Sequence, residues 1–190
     1  MPGPAVLYIV AQSIDRGRAA GLVSALGVAV GGLVHVTAAA IGLSALVVSS
    51  ATAFTVVKLL GAVYLIGLGL HTLLTPGEPV GPAVASERRL RRSFTQGVVV
   101  NVLNPKTALF FLAFLPQFVD RDAGHAGSQL VVLGLVFVAI AVVSDGLWAV
   151  AAGTASERLR GSRRFLAARR WVSGSVFLGL GVVTAAARRH

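Results

Sequence analysis

The longest uncharged stretch of the chain is AAGLVSALGVAVGGLVHVTAAAIGLSALVVSSATAFTVV, residues 19–57, where 39 consecutive positions hold no Asp, Glu, Lys or Arg. A helix needs about 20 mostly apolar residues to cross a bilayer. The stretch is therefore long enough for one membrane helix and the start of a second. Because serine and threonine favour turns and helix caps over helix interiors, we place the break between these two helices at residues 49–52.

Three more uncharged runs follow, at residues 59–77, 123–144 and 171–187. Charged residues make up 13% of the sequence, whereas soluble domains carry about 25%. Both observations predict an all-α membrane protein with almost no soluble part. We predict a single integral membrane domain over residues 1–190 with nominally six transmembrane helices, at residues 5–14, 19–48, 54–74, 94–118, 128–152 and 171–187.

The basic residues predict how the spans are oriented. Twelve Arg residues lie in three alternate connections, and three lie in another connection and the C-terminal tail. Because cytoplasmic loops carry the excess of Lys and Arg, the Arg-rich connections should be cytoplasmic and the C-terminus outside. A net charge of +10 would favour nucleic acid as the partner of a soluble protein. Here we assign the Arg clusters to membrane topology and to anionic lipid head groups, and we expect no nucleic-acid partner.

One predicted span is interrupted in its middle by Asn104-Pro105-Lys106. Pro105 has no N–H group, so the carbonyl of Asn101 loses its helical partner. Asn104 is a favourable N-cap, and proline suits the first helical position. We therefore predict that one helix ends near Asn101 and a new one starts at Pro105, with its N–H groups lining a cavity at mid-membrane. A simple proline kink is the alternative interpretation.

A second proline-led start, Pro2-Gly3-Pro4, opens the chain and also precedes an apolar half-helix. Three spans follow each start, so the second set must insert in the opposite orientation. Inverted repeats with helices broken at mid-membrane are an architecture of transporters. We predict two inverted three-helix repeats, residues 1–74 and 94–190, joined by a polar cytoplasmic connector at residues 75–93.

Two charged residues, Lys106 and Asp145, lie deep inside predicted spans. A lysine at the bilayer centre costs about 2.5–3.5 kcal/mol on insertion scales, so it needs an acidic partner, an anionic ligand or water. The sequence is consistent both with a Lys106–Asp145 ion pair and with a substrate or proton site. The amides of Asn101 and Asn104 either contact a substrate or cap helix ends.

Small residues and a histidine share one face of the second predicted span, where Gly27, Gly31 and His35 recur every four residues. Such faces let helices approach closely in lipid, which predicts tight packing. His35 is a candidate for a proton path, because histidine titrates near neutral pH. The alternative is a histidine held by a hydrogen bond on this face.

Several stretches form an ordered set along the chain. They are Pro2-Gly3-Pro4 with residues 16–21, residues 54–65, residues 94–97, residues 101–106 with 110–111 and 115–118, and Asp145 with Trp148. This set resembles the lysine-exporter (LysE/RhtB) family of amino-acid efflux proteins over nearly the whole chain. The resemblance implies a multi-pass exporter of amino acids or close derivatives in the bacterial cytoplasmic (inner) membrane, driven by the proton gradient. It implies no enzyme activity, no metal and no other cofactor.

The motifs and the buried charges together define the candidate site. The substrate-binding candidates are Pro2, Gly3, Pro4, Asn101, Asn104, Pro105, Lys106 and Asp145, and the proton-coupling candidates are Asp145 and His35.

Family members carry an apolar stretch before the Pro-Gly-Pro motif, whereas Met1 directly precedes it here. We therefore predict a first helix truncated before the motif, and we expect in-frame coding sequence for an apolar stretch upstream of Met1.

Other functions share parts of this pattern. A metal-ion or other small-solute exporter of a related family is one, although no Cys and only four scattered His disfavour soft metals. A thiol–disulfide electron carrier needs membrane Cys pairs, which the chain lacks. A non-transporting membrane scaffold would fit a truncated first helix. The sequence leaves open which amino acid is exported, which ion is coupled and whether the chain forms a homo-oligomer.

Overall fold

The computed structural model describes residues 3–41, 51–74, 83–120, 125–159 and 163–186, and within these ranges the chain is helical without strands. The seven α-helices of these ranges are α1 (Pro4–Arg16), α2 (Arg18–Ala40), α3 (Ala51–Leu74), α4 (Ala83–Val102), α5 (Pro105–Leu109), α6 (Ala126–Leu159) and α7 (Arg163–Ala186). After α5 the chain continues as a π-helical turn, Phe110–Phe114, and a 3-10 turn, Leu115–Phe118. The predicted all-α class is confirmed for these ranges.

The helices extend beyond several of the predicted spans. Helix α4 begins at Ala83, so the second half of the polar connector predicted at residues 75–93 is helical. Residues 51 and 52 belong to α3 rather than to the predicted break, and residues 42–50 lie outside the described ranges. Helices α6 and α7 also run past their apolar parts. Ala, Glu, Arg and Leu are good helix formers whether or not they face lipid, so apolarity marks a span but not the helix ends.

Among the described residues, two helices, α2 and α6, are long and apolar enough to cross a membrane. Shorter apolar stretches lie at Leu59–Leu74 in α3 and Trp171–Ala186 in α7. Large apolar side chains also cover the outer surface of the bundle; Leu26, Ile140 and Val183, for example, are 52%, 64% and 67% exposed. Such a surface fits lipid better than water.

Helix α2 packs against α4, α6 and α1, while α3 packs chiefly against α7. Backbone carbonyls of α1 accept hydrogen bonds from serines of the surrounding helices. Ser156 Oγ of α6 donates to the Ile14 carbonyl (2.9 Å), and Ser173 Oγ of α7 donates to the Ala11 carbonyl (3.2 Å). These bonds fix α1 among the longer helices, with Tyr8 and Ile9 fully buried in the core.

The small-residue face of α2 packs directly on the backbone of α4. A Cβ atom on Gly27 would collide with the carbonyl oxygen of Phe94, and one on Gly97 would lie 2.6 Å from the carbonyl oxygen of Ser24. A Cβ atom on Gly31 would lie 2.8 Å from Asn101 Cβ. The predicted close approach is therefore confirmed, and it brings α2 against the region where α4 ends.

A single glycine joins the first two helices. Gly17 has φ 94°, a conformation that side chains disfavour, and its N–H group donates to the Ser13 carbonyl at 3.0 Å. It ends α1 and directly precedes the first residue of α2. Gly17 therefore allows α1 to fold back against α2 without a loop.

Gly27→Ala should destabilise the protein, because its new methyl group meets the Phe94 carbonyl. We expect a loss of ~1–3 kcal/mol in the free energy of unfolding, the usual cost of overpacking. Gly67→Ala is the matched control, since nothing lies within 4 Å of its added Cβ, and it should be neutral or stabilising by up to ~1 kcal/mol. Unfolding of the purified variants in detergent measures both, and equal stabilities would contradict the close α2–α4 packing.

Candidate functional site

The interruption at Asn104-Pro105-Lys106 is a true break between two helices. Asn104 has extended backbone angles (φ −85°, ψ 106°), and its Oδ1 accepts the Lys106 N–H at 3.1 Å. The Ala108 N–H then donates to the Asn104 carbonyl at 3.0 Å, which closes the first turn of α5. Asn104 is therefore the predicted N-cap, Pro105 the first residue of the new helix, and the kink interpretation is excluded.

The carbonyl that Pro105 leaves without a helical partner belongs to Asn101. It accepts the Asn104 N–H at 3.1 Å and lies 2.9 Å from His35 Nε2 of α2. Because a carbonyl only accepts, Nε2 must carry the hydrogen. The His35 ring also stacks on Phe111, with ring centroids 6.0 Å apart. His35 thus has the hydrogen-bonded role on its small-residue face that the sequence left as one alternative.

The Asn101 side chain connects α2, α4 and α5. Its Nδ2 donates to the Val28 carbonyl at 2.7 Å, and its Oδ1 accepts from Thr107 Oγ1 at 2.9 Å. Asn101 is only 4% exposed, so these bonds satisfy both ends of a buried amide. The break between α4 and α5 is held by side chains from three helices.

The second proline-led start lies beside the first. Gly3 is the extended N-cap of α1 (φ −86°, ψ 177°), Pro4 is the first helical residue, and no side chain caps this N-terminus. A Cβ atom on Gly3 would lie 3.6 Å from Lys106 Cδ and 3.7 Å from Lys106 Nζ. The starts of α1 and α5 therefore meet at Lys106, whereas Pro2 lies outside the described residues.

A cavity of about 330 Å³ lies between these two starts, the middle of α2 and the middle of α6. This volume is in the range of small-molecule sites. Its polar lining residues are Asn101, Asn104, Lys106, Thr107 and Asp145, and Gly3 also lines it. Pro4, Pro105 and His35 do not line this cavity.

Asp145 is 7% exposed and faces the cavity from α6. Its carboxylate makes no hydrogen bond or ion pair with any residue in the described ranges. A direct Lys106–Asp145 ion pair, one of the alternatives that the sequence left open, is not formed: within those ranges no contact closer than 4.0 Å joins the two charged groups. Both side chains line the same cavity, where Lys106 Nζ lies beside Gly3 at the start of α1.

Thr107, Phe110 and Ala141 also line the cavity, although they were not among the site residues predicted from the sequence. The position of each residue relative to Asp145 or to the helix break already indicated that it could lie near the site. Ala141 precedes Asp145 by four residues and so shares its helix face. Thr107 directly follows the motif at residues 101–106, and Phe110 belongs to the motif at residues 110–111.

A polar cluster connects α1 to α4 nearer the C-terminal end of α1. Tyr8 Oη donates to the Ser93 carbonyl at 2.9 Å, and Ser93 Oγ donates to Gln12 Oε1 at 3.4 Å. Arg16 Nη1 donates to Ser93 Oγ at 3.3 Å. These bonds hold α1 against α4 and so help to fix where the α1 N-terminus lies relative to the break.

A family model described as LysE type translocator matches residues 1–188. The chain therefore belongs to the LysE translocator family, and the predicted family is confirmed. Uncharacterized membrane proteins of three bacteria are similar to it. The Vibrio cholerae protein is 31% identical (98% of this chain, 90% of the relative), the Bacillus subtilis protein 28% (97% and 91%) and the Pseudomonas aeruginosa protein 29% (98% and 89%). These relatives support a membrane location. No solved structure matches the chain.

Asn104→Ala should lower stability by ~1 kcal/mol, within the usual range of 0.5–2 kcal/mol for losing an N-cap. The alanine leaves the Lys106 N–H without its acceptor. Asn104→Ser is the matched control, because the serine hydroxyl can accept the same N–H group and should retain most of the stability. Thermal unfolding in detergent measures the difference, and an alanine variant as stable as the serine variant would contradict the cap.

Proposed function

We propose that this protein exports amino acids or close derivatives across the cytoplasmic membrane as a secondary transporter that works by alternating access. Its family is one of translocators. The observation that carries the proposal is the cavity, which places a buried carboxylate, an ammonium group and an uncapped helix start around one space of ligand size. A small zwitterion complements these groups.

The carboxylate of the substrate would bind near Gly3 and Lys106. The N-terminus of α1 carries backbone N–H groups without a side-chain cap and the positive end of the helix dipole. Such a terminus favours an anion, and the Lys106 ammonium beside Gly3 adds a full positive charge. The start of α5 is less suited to this role, since Asn104 already caps it.

The ammonium of the substrate would bind at Asp145. A buried carboxylate without a partner is costly, and an ammonium ligand removes that cost. Protonation of Asp145 also removes this cost, so a proton and the substrate ammonium compete for one carboxylate. This competition supplies a mechanism of exchange, in which a proton entering from outside releases the substrate and loss of the proton toward the cytoplasm restores the site. Asp145 is thus our proposed coupling residue, ahead of His35, whose Nε2 is bound to the Asn101 carbonyl.

The packing supports two inverted three-helix repeats. In that arrangement α2 corresponds to α6 and α3 to α7, and each helix packs against its counterpart. The two broken starts, at Gly3 and at Asn104, would likewise correspond, and they meet at Lys106. The substrate site would then lie between the repeats near the bilayer midplane, as in other transporters of this plan.

The Arg distribution orients the proposed transporter with its basic segments in the cytoplasm and its C-terminus outside. The basic cluster at residues 88–92 lies on α4. The chain has no Cys, so a single introduced Cys reports its side of the membrane without background. We expect Glu87→Cys to react with an impermeant thiol reagent only from the cytoplasm and Ala126→Cys only from outside. Labelling of both from one side would contradict the orientation.

Export itself is tested in cells loaded with a panel of amino acids, by comparing efflux from cells with the protein and with an empty vector. At least one amino acid should leave faster with the protein, and a protonophore should remove the difference. Asp145→Asn should lower this efflux at least ~tenfold, because the amide cannot hold an ammonium as a counter-ion.

Glu157→Gln is the control for Asp145→Asn. Glu157 lies on the same helix, but it is exposed and pairs with Arg18 at 3.3 Å, so efflux should be almost unchanged. Efflux of no amino acid from the panel would contradict the proposed function. Full efflux with Asp145→Asn would contradict the proposed role of Asp145.

A further inference from the structure

Resting on the function proposed above, we infer that the cavity selects neutral amino acids with apolar side chains. Three features of the lining carry this inference: the number of charges, the bonds already made by its polar side chains, and the apolar wall that continues from Asp145 along α6.

The cavity offers one positive and one negative side chain, Lys106 and Asp145. The main-chain carboxylate and ammonium of an amino acid match both. A lysine or glutamate substrate would bring a further charge with no counter-charge among the lining residues. Charged groups without a partner are strongly disfavoured in such surroundings.

The uncharged polar groups of the lining are largely engaged. Asn101 Nδ2 donates to the Val28 carbonyl, and Asn101 Oδ1 accepts from Thr107 Oγ1. Asn104 Oδ1 accepts the Lys106 N–H. A polar substrate side chain that used these groups would compete with bonds that hold the helix break together.

The wall next to Asp145 is apolar. Ala141 and Val142 precede Asp145 by about one helical turn, and Phe137 and Val138 by about two, so all four share its face and line the cavity. Phe110 stacks on Phe137 with centroids 4.3 Å apart and closes this side. A rise of ~1.5 Å per residue places Ala141 ~6 Å along the helix from Asp145. A substrate held at Asp145 by its ammonium would therefore rest its side chain on this wall.

Counterflow into liposomes that contain the purified full-length chain tests the selectivity without assuming a coupling ion. Radiolabelled leucine, glutamine, lysine and glutamate are measured separately, each against its own unlabelled pool inside. We expect leucine to exchange at least ~tenfold faster than the other three, since apolar contacts alone discriminate by roughly that factor. Faster or equal exchange of glutamine, lysine or glutamate overturns this inference alone. Exchange of no amino acid overturns the proposed function as well.

Ala141→Leu tests where the side chain lies. The larger residue reduces the space at the wall, so leucine exchange should fall at least ~tenfold more than alanine exchange. Ala139→Leu is the matched control, because Ala139 is exposed on the outer face of the same helix and both exchange rates should persist. If the Ala141→Leu protein does not elute as a folded species, Ala141→Val provides the same comparison. Equal loss of leucine and alanine exchange in a folded variant overturns the placement of the substrate side chain on the wall at Ala141.

Discussion

The backbone carbonyl of Asn101 is the constraint on which the rest of the site depends. Pro105 cannot donate to it, and a membrane-embedded carbonyl has no bulk water to replace the lost bond. The Asn104 N–H and His35 Nε2 satisfy it instead. For His35 to reach this carbonyl, α2 must lie against α4, and the glycines at their contact permit that approach. The break, the packing of α2 on α4 and the position of the cavity wall are thus connected through one missing N–H group.

Local chemistry made the break predictable from the sequence. Asn104, Pro105 and the carbonyl of Asn101 predict the break from local chemistry alone, because none of their roles depends on another helix. The same holds for the small-residue face, because a period of four along one helix is visible in the sequence. The ends of α4, α6 and α7 were less predictable, since good helix formers extend a helix beyond its apolar part.

Relations between helices were the part that the sequence could not supply. Lys106 and Asp145 could be recognised as charges inside predicted spans, but whether they touch depends on how α5 and α6 are placed. In the described part of the chain they line one cavity without a direct ion pair. The approach of Gly3 to Lys106 connects residues more than a hundred positions apart, and no periodicity reports it. Spacing places Ala141 on the helix face of Asp145 and Phe110 close to the break, but only the structure shows that both line a cavity, since small and aromatic residues are ordinary inside a helical bundle.

The one-residue connection at Gly17 makes the position of the α1 N-terminus sensitive to a single pair of backbone angles. The 13 residues of α1 span ~20 Å, so a difference of ~10° in the direction of the helix would displace Gly3 by ~3 Å. That distance is comparable to a hydrogen-bond length, so it decides whether the helix start lies beside Lys106. The hydrogen bonds that tie α1 to α4, α6 and α7 therefore set the geometry of a cavity that they do not line.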